Sequence, residues 1–121
     1  MGPEGFRKLA LALPEAIEKE HMQHPDFRVG GKIFATLGYP DEHFAMVKLS
    51  SEQQKEFVSE YPESFRPVPG GWGLKGCTHV ILRKATKPQV QAALAAAWNH
   101  NAPAEKDEKL RGTRGRGSKL K

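Results

Sequence analysis

The sequence predicts an α+β domain in two layers, an antiparallel β-sheet with its helices packed on one face. Two observations lead there: apolar residues repeat with a period of 3.6 in three short windows, and with a period of two in the stretches between them. A third sets the scale. At 121 residues and 38% hydrophobic content, the chain can build one core and not two.

The elements follow in order. Phe6, Leu9, Ala10 and Leu13 share one face of a helix predicted over 4–13, starting near Pro3 and stopped by Pro14. From Ala16 to Leu49 the pattern alternates: Ile17 onward, then Phe27 and Val29, then Ile33, Ala35 and Leu37, then Ala45, Val47 and Leu49. This predicts three or four antiparallel strands. Val29-Gly30-Gly31-Lys32 reads as a two-residue hairpin, because glycines accept the positive φ angles of a primed turn, and Pro40-Asp41-Glu42 marks the next reversal. Ser50 and Gln53 are spaced as a capping box for a helix over 51–61 carrying Phe57, Val58 and Tyr61. The prolines and glycines between Pro62 and Gly76 leave room for one short strand at 65–68 and otherwise an irregular loop. Thr78, Val80 and Leu82 then alternate as a core strand. Thr86 and Gln89 form a second capping box for a helix over 87–100, with Pro88 in its first turn and Val90, Ala93, Leu94, Ala97 and Trp98 on one face.

The charge is unevenly distributed. The chain carries a net +5, but residues 1–103 hold 12 basic against 11 acidic side chains, whereas residues 104–121 hold seven against three. The division predicts a folded domain over 1–103 and a basic, disordered tail over 104–121. No apolar run is long enough to span a membrane and no secretory leader is recognisable. The lone Cys77 has no partner for an internal disulfide, which fits a reducing, cytoplasmic setting.

Four segments together resemble the MmcQ/YjbR-like family, over roughly residues 4–103. They are the helix ending Leu11-Ala12-Leu13-Pro14-Glu15, the hairpin from His24 to Ala35, the loop and strand from Pro69-Gly70-Gly71-Trp72-Gly73 to Leu82, and the last helix with Ala93, Leu94, Ala97 and Trp98. The resemblance implies a compact fold of order α-β(3)-α-β(2)-α, similar in shape to CyaY and to type III secretion chaperones. It also implies DNA binding through protruding hairpin wings. The tail lies outside it.

Candidate sites divide by chemistry. Arg28 and Lys32 flank the glycine turn, where two cations either straddle a phosphate backbone or stand as solvated charges that discourage edge pairing. Lys75 and Lys84 complete a patch if the fold brings them together. In the tail, Arg111, Arg114 and Arg116 alternate with small residues, as in arms that attract phosphate through counterion release. Trp72 lies in a glycine-rich loop that matches neither a Walker motif nor a dinucleotide fingerprint; it is expected to fold back as an apolar lid on the sheet, with ligand or base stacking as the alternative.

The remaining constellations are weaker. His21, His24, Cys77 and His79 supply four zinc-type donors, but strand geometry opposes a shared site, and neither a bound metal nor another cofactor is expected. A nucleophilic Cys77 beside His79 or His43 lacks an orienting third group and an oxyanion hole, so no enzyme is expected. Glu15, Glu18 and Glu20, with Lys19 among them, read as a solvated strand surface. The reading that follows is a non-enzymatic domain that binds DNA weakly through hairpin and tail; the alternative is a protein-interaction or small-ligand module with a chaperone-like fold.

Overall fold

In the computed structural model, residues 1–21 and 24–103 are described, and they form four helices and six strands. The order is α1 (Pro3–Leu11), β1 (Ile17–His21), β2 (His24–Val29), β3 (Lys32–Leu37), β4 (Phe44–Lys48), α2 (Ser51–Glu60), β5 (Phe65–Pro67), α3 (Gly71–Leu74), β6 (Cys77–Ile81) and α4 (Lys87–Asn101). All six strands join one antiparallel sheet in the order β1-β2-β3-β4-β6-β5. Four strands therefore precede α2. The loop read as irregular contains the single turn of α3, so the sequence of elements runs α-β(4)-α-β-α-β-α.

Helices α1 and α4 cover one face of the sheet. Their apolar stripes, Phe6 and Ala10 from α1 and Val90, Ala93, Leu94, Ala97 and Trp98 from α4, are buried against Phe27, Val29, Ala35, Val47 and Val80. Each large apolar side chain withdrawn from water in this way contributes about 1.5–3 kcal/mol. Trp98 is fully buried, and its indole N–H donates to the carbonyl of Pro14 at 2.9 Å, which satisfies its polar edge and ties the start of the β1 region to α4. Both capping boxes are formed, Ser50 with Gln53 and Thr86 with Gln89. They fix where α2 and α4 begin. Helix α2 is more peripheral; Phe57 meets Phe65 edge-on at 5.2 Å.

Strand alternation fails at one point. Phe27 pairs with Ala35 but Arg28 pairs with Ile33, so the register shifts by one residue and Phe34 is the extra one. As a result Phe34, Ala35 and Leu37 are all buried in the core, while Ile33 is carried to the opposite face, where it lines a cavity. A strict period of two had assigned Ile33 to the core; the bulge reverses it. Among the described residues, the face away from α1 and α4 has no helix over its centre, and this open face positions the sites described next.

Candidate functional site

One end of the sheet gathers basic side chains. Val29 and Lys32 pair across the predicted hairpin, and Gly30 and Gly31 have φ values of 59° and 84°, as a two-residue primed turn requires. Antiparallel pairing brings the end of β4, with Lys48, and the start of β6, preceded by Lys75, to the same end of the sheet as Lys32. Their electrostatic reach confirms this: Lys48 and Lys32 both act on His100, and Lys48 and Lys75 both act on Cys77. Helix α4 ends there too, because the Asn101 side-chain amide donates to the Lys48 carbonyl at 3.0 Å. Pro103 lies against the hairpin turn so closely that a Cβ on Gly30 would come within 2.6 Å of its ring.

The predicted basic residues fare differently. Lys32 and Lys75 belong to this end. Arg28 does as well, but its guanidinium is held by Asp26, with Nε to Oδ1 at 2.8 Å and Nη2 to Oδ2 at 3.2 Å, and Asp26 is only 2% exposed. That hydrogen bonding raises the Arg28 pKa from its ordinary value and neutralises its charge locally. Lys84 is not brought to the group. It follows β6 at the opposite end of the sheet, where it borders a groove with Glu60 and Glu63. Arg111, Arg114 and Arg116 lie outside the described residues. Lys48 was missed by sequence reading, since an isolated lysine at the end of a strand carries no signal until the sheet places it beside Lys32.

The open face carries the second arrangement. Successive pairings draw a row straight across the sheet, Asp26 beside Thr36, Thr36 beside Met46, Met46 beside His79, and His79 beside Arg66. Above this row runs a trough of about 550 Å³, with Ile33, Tyr39, Met46 and Trp72 among its walls. Trp72, expected to fold back as an apolar lid on the sheet, stands instead at the rim of the trough, 65% exposed and with Lys75 Nζ 5.8 Å from its ring centroid. The reason is local. A Cβ on Gly73 would lie 1.9 Å from the Val68 carbonyl oxygen, so the turn of α3 packs by its glycine side and its indole is turned outward. Gln54 of α2 fastens the same turn, its amide donating to the Gly73 carbonyl at 3.0 Å, the Cys77 carbonyl at 3.1 Å and the Thr78 hydroxyl at 3.1 Å.

Cys77 and His79 both border the trough, as their shared strand face requires. Burial pushes the Cys77 thiol up, against the opposing pull of Lys48 and Lys75, which makes it a poor nucleophile near neutral pH. His43, the other base considered for it, is a half-exposed residue 3.8 Å from Glu42 in the β3–β4 turn. Burial, then Arg66, holds His79 below the usual histidine range, with the Ala45 backbone acting the other way. His79 packs edge-on against Phe44 at 5.4 Å, and its buried Nδ1 has no hydrogen-bond partner among the described residues. An unpaired buried polar atom costs about 1–3 kcal/mol. Among the described residues, no three histidine, cysteine or carboxylate side chains are grouped so as to hold a metal; the side chain of His21 lies outside that description. Glu18 is not simply solvated, since Arg7 bridges it to Glu4 at 2.6 and 2.9 Å. No described helix is long and apolar enough to cross a membrane.

Comparison with known proteins places this geometry. No curated protein matches the chain. The crystal structure of the Deinococcus radiodurans protein DR2400, with the domain DUF419, is similar at a TM-score of 0.65 and 17% identity, over 88% of this chain and 84% of that one. That likeness is one of fold. The model of the YjbR family matches residues 11–100, a span running from the end of α1 through the hairpin, the Trp72 turn and nearly all of α4. With most of its length matched, and with the hairpin and the Trp72 turn built as described, the chain belongs to the YjbR family.

Proposed function

We propose that this YjbR-family domain is a non-enzymatic, cytoplasmic module that binds nucleic acid weakly and without reading sequence. The observation that carries the reading is the contact of Pro103 with Gly30. Lys32 stands at that turn, Lys48 and Lys75 stand at the same end of the sheet, and the sequence beyond Pro103 adds seven cations. Phosphates neutralised there release counterions, which favours binding at low salt and gives no base preference.

The test is a salt titration of binding to a DNA duplex. The log-log slope is about −0.9 per phosphate neutralised. Truncation after residue 103 is expected to reduce its size by several units, Lys32→Ala and Lys48→Ala by about one each, and Lys84→Ala by nothing measurable. Equal effects of Lys84→Ala and Lys32→Ala overturn the assignment to this end of the sheet. Absence of any salt-sensitive binding overturns the partner class. A second reading, a small-ligand module, is favoured by a different feature, the apolar trough on the open face.

A further inference from the structure

The trough is a concavity in the middle range of small-molecule sites, which run from about 300 to 1,000 Å³. Its composition narrows what it can take. The floor is Met46, a flexible and polarisable side chain, beside His79; Trp72 and Tyr39 rise at the rim, and at 65% and 63% exposure they are two of the largest apolar side chains left in water. Flat aromatic surface on the walls and a soft thioether on the floor favour a planar ring. The polar contribution is small and specific. His79 is 8% exposed, borders the trough, and holds a nitrogen with no partner among the described residues. A neutral imidazole offers one donor and one acceptor, so it can answer one polar group on a ligand.

Charge selects further. Arg66 is the cross-strand neighbour of His79 and acts on it, while Lys48 and Lys75 act on Cys77 two residues earlier on β6. The acidic residue on the trough, Asp26, stands at the far end of the row and is already held by Arg28. The β5–β6 side of the trough is therefore the side bordered by cations, Arg66 beside His79 and Lys75 beside Trp72.

We propose that the open-face trough is a binding site for a small planar aromatic acid, its ring lying over Met46 between Trp72 and Tyr39 and its carboxylate turned toward Arg66 and Lys75. This narrows the small-ligand reading given above, and of the basic end of the sheet it uses Lys75 alone. The ring gains burial on both faces; the anion meets the cations at the partly wet rim, where no buried charge is left unpaired.

The experiment uses the full chain, isotope-labelled for NMR, titrated separately with 1-naphthoate and with its uncharged isostere naphthalene-1-carboxamide. Saturable shifts at the Trp72 indole, the Met46 methyl and Ile33 are expected, with the acid binding at least threefold tighter. Arg66→Gln together with Lys75→Gln, both at exposed positions, is expected to remove that preference while keeping the shifts, and Trp72→Ala to weaken both compounds severalfold. Equal affinity for acid and amide overturns the acidic class while leaving a ligand trough. Failure of both compounds to shift these residues overturns the trough as a small-molecule site. Shifts at the same residues that grow with protein concentration alone show that a second copy fills the trough, and also overturn the proposal.

Discussion

The guanidinium of Arg28 grips the buried carboxylate of Asp26 two residues earlier on β2, through contacts of 2.8 and 3.2 Å on the open face of the sheet. A cation that looked free to meet phosphate at the hairpin is thus committed to its own strand. Arg28→Ala leaves Asp26 buried without its partner and is expected to lower Tm by several degrees, whereas Arg28→Ala combined with Asp26→Ala recovers most of the loss. In DNA titrations the same Arg28→Ala change is expected to move the salt slope less than Lys32→Ala. Thermal unfolding of the three variants, and paired salt titrations, check both statements.

Gly30 and Gly31 offer an internal control for the contact between the hairpin and Pro103. Both hold positive φ, so alanine at either costs about 1–2 kcal/mol for backbone conformation alone. Only at Gly30 would the added Cβ strike Pro103; at Gly31 it meets nothing within 4 Å. Urea unfolding is expected to show Gly30→Ala as the more destabilising change. Equal losses would mean that the Pro103 contact contributes no stability.

Acid should weaken the fold through two histidines. Burial is the first cause lowering both His79 and His100, with Arg66 adding to the former and Lys48 and Lys32 to the latter. Their folded pKa values therefore lie below the unfolded value of about 6.5. Between those limits the unfolded chain binds more protons, so stability is retained above the window and lost as pH falls through it. Denaturant midpoints measured from neutral to mildly acidic pH are expected to decline, and to decline less steeply in the His79→Leu, His100→Gln double variant. A double variant with an unchanged slope assigns the decline to other groups.

The turn that carries Trp72 depends on Gln54. One amide group serves the Gly73 and Cys77 carbonyls and the Thr78 hydroxyl, so Gln54→Ala is expected to destabilise the domain by about 1–3 kcal/mol. It should also loosen the indole. Trp98 is buried and fixed to Pro14, so added depolarisation of tryptophan fluorescence in the variant reports on Trp72. Unchanged anisotropy alongside the stability loss would show that the turn is held by Gly73 packing and not by Gln54.

Much of this protein is determined locally and so by sequence alone. The two capping boxes, the glycine hairpin and the stripe from Val90 to Trp98 each depend on residues within a few positions of one another, and they form where their spacing puts them. Tertiary structure decided the rest. The register shift at Phe34 moves Ile33 to the open face, because a bulge depends on how β2 and β3 meet and leaves no mark in either strand's alternation. Trp72 is turned outward by the approach of Val68 to Gly73, and Lys48 joins Lys32 while Lys84 is carried to the far end, because antiparallel strands return each residue to an end that only the pairing order fixes. The cross-strand row from Asp26 to Arg66 draws one residue from each of five strands, so the trough above it exists only once long-range pairing has brought them side by side.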